Sequence, residues 1–283
     1  MRDWTPERIA REAGARLVGD PATEQGFDRV VIDSREAGPG TLFAGLPGEH
    51  VDGGTFAAQA LRDGAWGVLV APGHGDELAG GPGVVLVADD PLAALQRLAT
   101  AWRRALGATV IGVTGSTGKT STKDILTAML RPERRVIATP ANRNTEIGVP
   151  LVILGAPAGT EVLVLEMAMR GTGQIAELAA IAEPDIGLIV NVGPVHLALL
   201  GSIDAIAAAK AALIAGLPAG ATAIVPADST HLAPHLREDL HTVTFGPGGD
   251  VDDLGGVDVS LPGAHMRSNA LAALAAARAA GVT

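Results

Sequence analysis

The stretch ATVIGVTGSTGKTSTKDILTAML (108–130) runs from an apolar strand through a glycine loop into a helix without a break. Gly115 and Gly118 let the loop's backbone N–H groups turn inward, where the positive end of the helix favours phosphate oxygens. In this pattern Lys119 reaches the β- and γ-phosphates of a nucleotide and the Thr120 hydroxyl holds Mg²⁺. The nucleotide-binding residues expected on this reading are Thr114, Gly115, Ser116, Thr117, Gly118, Lys119, Thr120 and Ser121. The common Walker spacing asks for glycine where Val113 stands, so a shorter TGxxGKT form fits.

Outward from this loop the chain keeps the same alternation. RRVIAT (134–139), EVLVLEMA (161–168), DIGLIVNV (185–192) and ATAIVPA (221–227) are short apolar runs separated by helical stretches. Near-continuous apolar strands alternating with helices predict a mostly parallel sheet covered by helices on both faces. Ligands in such sheets sit beyond the strand carboxyl ends, and the polar clusters here follow strands. GPGGDVDDLGG (246–256) reads as a loop or a shortened excursion before the final Ala-rich helix.

Upstream, Thr5-Pro6-Glu7 announces a helix: a cap, a proline in the first turn and an acid at the positive end. VVIDSR (30–35), TLFAG (41–45), WGVLVA (66–71) and VVLVAD (84–89) read as strands, with a helix in GTFAAQALRDGA (54–65). The fold expected is therefore α/β, with a small α/β domain over 1–89 and a phosphate-loop domain over 90–283. Asp90-Pro91 opens a helix whose Leu92, Leu95, Leu98, Trp102 and Leu106 form a packing stripe.

Composition narrows the function. Among 283 residues, 21 Lys+Arg against 31 Asp+Glu give a formal charge of −10, which disfavours a nucleic-acid partner. The absence of cysteine excludes disulfides, thiolate metal sites and a cysteine nucleophile. The start, MRDWTPERIAREAG, lacks a signal-peptide pattern. A mean hydropathy of +0.30 invites a membrane reading. Asn191, Pro194, His196, Lys210 and Pro218 interrupt the apolar runs before a spanning length, so a cytoplasmic protein without membrane insertion is expected. Only Lys119, Lys123 and Lys210 are lysines, so each marks a place where an amine is preferred to a guanidinium.

TGSTGKTSTK (114–123), ANRNTEIGVPL (141–151), LEMAMRGTGQI (165–175), NVGPVHLALLGS (191–202) and GAHMRSNALAALA (263–275) stand in an order that resembles the Mur ligases of peptidoglycan synthesis. IDSREAGPGTLFAGLPGEHVDGGTF (32–56) resembles their uridine-nucleotide domain. Within that family the chain is most similar to the MurF type, which joins D-Ala-D-Ala to UDP-N-acetylmuramoyl-tripeptide. The resemblance implies ATP and Mg²⁺, an acyl phosphate on the peptide carboxylate, and attack by the incoming amine. It implies a catalytic set of Lys119, Glu166, His196 and Lys210, with Thr120, Glu166, His196 and a carbamylated Lys210 serving the metals. Asn269 is implied at the nucleotide base. Ser34 and Arg35 are implied at the UDP moiety, while Asn142, Asn144 and Thr145 line the substrate or phosphate side.

Several positions depart from the family pattern. Ala198 and Ala212 stand where carboxylates are usual, Gln174 where Gly-Glu-Ile is usual, and Met266 where His-Asn is usual. The family's third domain is expected to be absent, which implies incomplete ligation by this chain or a partner supplying that domain. The rival expectation is a non-catalytic, nucleotide-binding relative acting as a regulatory or partner-docking module.

Overall fold

Thr5 starts the first helix as its chemistry dictates, its hydroxyl accepting the Arg8 N–H at 3.4 Å while Gly14 closes the other end at φ 61°. The computed structural model describes residues 1–19, 23–195, 197–255 and 263–282. These divide into two units, Met1–Ala105 with Ile153–Ala158, and Leu106–Val152 with Gly159–Thr283.

The first unit contains α1 (Pro6–Ala13), β1 (Arg16–Val18), β2 (Arg29–Val31), β3 (Thr41–Ala44), α2 (Ala57–Arg62), β4 (Gly67–Val70), α3 (Pro72–Gly75), β5 (Val84–Val87) and most of α4 (Pro91–Leu106). Its sheet runs β1-β5-β4-β3-β2, parallel from β2 to β5, with β1 antiparallel on the edge. The four runs read from sequence as strands are here, although VVIDSR ends as a strand at Val31 and turns into a single 3₁₀ turn at Ser34–Glu36. The short β1 escaped the sequence reading because three residues carry no period.

The division falls after Ala105 rather than between residues 89 and 90. Helix α4 stays with the first unit because its side chains bond there: Arg97 Nε donates to the Ala13 carbonyl at 2.8 Å, and Trp102 packs edge-on against Trp4 at 5.4 Å. Trp102 Nε1 also donates to the Ala156 carbonyl at 2.9 Å, which draws 153–158 into this unit.

The second unit contains β6 (Thr109–Thr114), α5 (Lys119–Leu130), β7 (Val136–Ala138), α6 (Gly148–Leu154, crossing the division), β8 (Val162–Glu166), α7 (Gln174–Ala182), β9 (Ile186–Ile189), α8 (Leu197–Leu200), α9 (Ile203–Ala215), β10 (Thr222–Pro226), β11 (His241–Phe245) and α10 (Ala264–Ala279). Its sheet is parallel, in the order β11-β10-β9-β6-β8-β7. Alternate residues feed opposite faces. Leu188 and Val190 join a core with α5 and α10, whereas Ile189 joins a second core with α9. Helices on both faces are thus the consequence of strands buried on both sides.

β11 is a sixth strand where five were expected. HTVTF alternates polar and apolar residues at the sheet edge, so its signal is weaker than that of the buried strands. The Gly/Asp segment after it turns tightly, with the Asp250 carboxylate accepting the N–H and hydroxyl of Thr244 at 2.8 and 2.7 Å.

The strand order reverses around β6, with β8 on one side and β9 on the other. The loop leaving β6 therefore opens at the switch point where doubly wound sheets bind ligands. The register sets Val113 beside Glu166 and Thr114 beside Ile189, so the glycine loop rises between the ends of β8 and β9.

Candidate active site

Helix α5 begins at Lys119, and no side chain caps it. Its first N–H groups have no acceptor within the helix, which leaves them directed at whatever sits above the loop. Gly118 makes the turn possible: its φ is 76°, and a Cβ there would lie 2.5 Å from Asn269 Oδ1. Asn269, expected at the nucleotide base, is buried beneath the loop, with its amide against Met266 Sδ at 3.8 Å.

The first half of the loop is engaged by the protein itself. Asn191 Oδ1 accepts the N–H groups of Ser116 and Thr117, both at 3.0 Å, and its amide donates back to the Thr117 carbonyl at 3.0 Å. The Ser116 hydroxyl donates to the Gly193 carbonyl at 3.0 Å and accepts the Gly193 N–H at 2.9 Å. Thr114 Oγ1 donates to the Met167 carbonyl at 3.0 Å. These three side chains tie β6 to the ends of β8 and β9 and hold the first half of the loop in place. Ser121 lies within α5, one residue beyond Thr120, half-buried.

Glu166 ends β8, only 3% exposed, and its two oxygens have different partners. Thr120 Oγ1 donates to Oε2 and Asn144 Nδ2 donates to Oε1, each at 2.9 Å. The Glu166 N–H is fixed by the Thr139 hydroxyl at 2.9 Å. One carboxylate beside one hydroxyl is the hard-oxygen pair that Mg²⁺ takes together with substrate phosphates and water. Among the described residues no cluster of three or more His, Asp and Glu forms a self-sufficient metal cage. His196, expected as a metal ligand, lies outside the described residues.

The two remaining site lysines meet in one pocket of about 490 Å³, whose lining includes Gly115, Lys119, Asn144, Arg170, Gln174 and Lys210. Lys119 Nζ donates to the Gly115 carbonyl at 2.9 Å; burial lowers its pKa and the charge of Glu166 opposes that fall. Lys210, 1% exposed on α9, is pushed down to about 8, first by burial and then by the ammonium of Lys119.

Of the loop after β7, Thr145 lines the pocket and its hydroxyl accepts the Gly148 N–H at 3.3 Å, while Asn142 is exposed and does not line it. Ser34 and Arg35 belong to the first unit. Arg35 clasps Asp33, with Nε at 2.9 and 3.1 Å and Nη2 at 2.5 Å, and these bonds hold the Asp33 carboxyl down to about 2. Asp33 is therefore the partner of Arg35 as well as a turn residue.

Sequence reading missed Thr139, Asn191 and Arg170. The first two carried a usable signal, since each is a polar residue where an apolar strand gives out.

Residues 113–255 match the Mur ligase middle domain, and residues 27–103 match the Mur ligase family catalytic domain. The chain belongs to the Mur ligase family. Among Mur ligases it is 42% identical to the UDP-N-acetylmuramoyl-tripeptide–D-alanyl-D-alanine ligase of Synechocystis sp., over 90% of this chain and 59% of that relative. The ligase of the same name in Bacillus subtilis is 38% identical, over 93% of this chain and 57% of its own length. The chain thus spans under two thirds of these curated Mur ligases. Its fold matches MurF from Acinetobacter baumannii with a TM-score of 0.87 at 28% identity, covering 99% of this chain and 66% of that one. It also matches MurF from Thermotoga maritima in complex with ADP, with a TM-score of 0.79 at 32% identity, covering 90% and 64%.

Proposed function

We propose that this chain is the nucleotide- and donor-binding portion of an ATP-dependent ligase that joins D-Ala-D-Ala to UDP-N-acetylmuramoyl-tripeptide. The observation that carries the reading is the Thr120–Glu166–Asn144 arrangement at the open N-terminus of α5, with Lys119 and Lys210 facing one pocket. A triphosphate needs charge neutralisation and positioning above all. Lys119 and the N–H groups opening α5 neutralise the phosphates, and Glu166 with Thr120 holds Mg²⁺. Mg²⁺, when bound, would supply charge withdrawal at the γ-phosphate; acyl-phosphate formation then joins the donor carboxylate oxygen to the γ-phosphorus as its bond to the bridging oxygen breaks and ADP leaves. Asn144 keeps Glu166 aimed at the cation. Lys210, partly neutral at its lowered pKa, is in the form that reacts with CO₂, and we read it as the carbamylated lysine of the family.

No described helix is long and apolar enough to cross a membrane, which fits a cytoplasmic setting with small-molecule substrates. A partner protein completing the amine side is compatible with this reading, and co-purification tests it. The first experiment is calorimetric titration of Mg·ATP into the chain and into Lys119→Ala. Micromolar binding that weakens at least ~100-fold in the variant is expected from losing a charge-assisted phosphate contact in a buried pocket. Equal binding by both chains would remove the phosphate-loop reading. Phosphate release that rises when UDP-tripeptide is added separates the ligase from a regulatory nucleotide binder.

A further inference from the structure

The segment between β8 and α7 is held by backbone N–H bonds at four of its seven residues. Met167 N–H donates to the Val113 carbonyl at 2.8 Å and Ala168 N–H to the Asn144 carbonyl at 2.9 Å. Two of the next three N–H groups, those of Arg170 and Gly171, are both taken by Gln174 Oε1, at 2.5 and 3.1 Å. A turn fixed in this way presents the Arg170 side chain at the pocket that Lys119 and Lys210 also line. Arg170 is exposed, and its guanidinium makes no hydrogen bond or ion pair among the described residues. Two other cations of the site are engaged, Lys119 with the Gly115 carbonyl and Lys123 with Asp124 and Thr139, and Lys210 is the buried amine read above as the carbamylated lysine.

The geometry points to Arg170 as the group that receives the donor's reacting carboxylate, with Gln174 as the positioning residue that aims it. This inference rests on the ligase reading above and adds to it the residue that selects a carboxylate-ended peptide. A planar guanidinium matches a carboxylate with two parallel hydrogen bonds, which an ammonium cannot do. The phosphate end of the pocket is already supplied by Lys119 and the start of α5. Gln174 explains itself in the same terms. Its carbonyl oxygen clamps the turn, as a carboxylate would, while the side chain that lines the pocket stays neutral and adds no charge opposing the donor's.

The test titrates UDP-N-acetylmuramoyl-tripeptide, and the same compound with its terminal carboxylate converted to a carboxamide, into the whole chain in the presence of Mg·ADP. Arg170→Met is expected to weaken the carboxylate ligand by about tenfold or more while leaving the carboxamide within about twofold. Gln174→Leu should reproduce the selective loss, and Gln174→Glu, which keeps the acceptor for both N–H groups, should restore binding to within about threefold. Undiminished binding of the carboxylate ligand to Arg170→Met overturns the assignment and leaves the ligase reading standing. So does a loss of Mg·ATP affinity alone, which would make Arg170 a phosphate contact. Failure of the unaltered chain to bind the UDP-peptide while it binds Mg·ATP overturns the ligase reading, and the assignment with it.

Discussion

Lys210 shows what a single side chain costs when a site is built around it. A lysine that titrates at about 8 instead of 10.5 is a buried ammonium destabilised by ~3 kcal/mol in the folded state. Lys119, Arg170 and Glu146 line the same pocket, and the charge of Lys119 adds to the burial penalty. The sign follows from proton counting. Below pH 8 both folded and unfolded chains hold the proton, so the penalty is complete. Between 8 and 10.5 the unfolded chain holds more protons, so stability rises with pH and the penalty fades. Lys210→Met should therefore be more stable than the parent at pH 7 in urea, with the gap narrowing at pH 10. Urea midpoints that run parallel across that range would mean that the ammonium is compensated in the folded protein, as a metal-supporting carbamate would do.

At the scale of elements, the β6-loop-α5 unit was legible because its signals are local: an apolar run, glycines where the backbone must turn, then a helix. The parallel sheet was legible for the same reason, its strands being buried on both faces and hence apolar throughout. Edge strands β1 and β11 were not, since one is three residues long and the other alternates weakly. The site was legible as residue types but not as partnerships. Thr120, Glu166 and Asn144 were each picked out, yet their mutual bonds depend on the β6–β8 register, which no stretch of sequence encodes alone. Lys123 is the plainest case. Its type was conspicuous, and its role is to join two elements: Nζ donates from α5 to the Thr139 carbonyl at the end of β7 at 3.0 Å, and Thr139 in turn holds Glu166 N–H. Lys123→Met should cost about 1–3 kcal/mol in urea unfolding, the loss of a charged, buried hydrogen bond. Because the strand end carrying Glu166 loosens too, Mg²⁺ dependence of ATP binding should shift to higher concentration. A purely local role would lower stability and leave the Mg²⁺ midpoint where it was.

At the scale of the whole molecule, the chain does not pass once from one unit to the next. It leaves the first unit after Ala105, returns to it over Ile153–Ala158, and leaves again. The returning segment is short but buried, with Ile153, Leu154 and Ala156 at 0%, 1% and 2% exposure. It supplies the acceptor for Trp102 Nε1, on a side chain that packs against Trp4. A fragment ending at residue 105 therefore carries an intact first sheet but a tryptophan N–H with no partner and an uncovered apolar edge. An unsatisfied buried donor costs about 1–3 kcal/mol, and the lost apolar cover adds to that. Fragment 1–105 should thus unfold at lower urea than the same fragment with residues 153–158 attached through a glycine linker, by at least ~1 kcal/mol. Fluorescence of the three tryptophans, Trp4, Trp66 and Trp102, follows both transitions. Coincident midpoints would mean that the first unit is complete without the returning segment, and that its burial there serves the second unit instead.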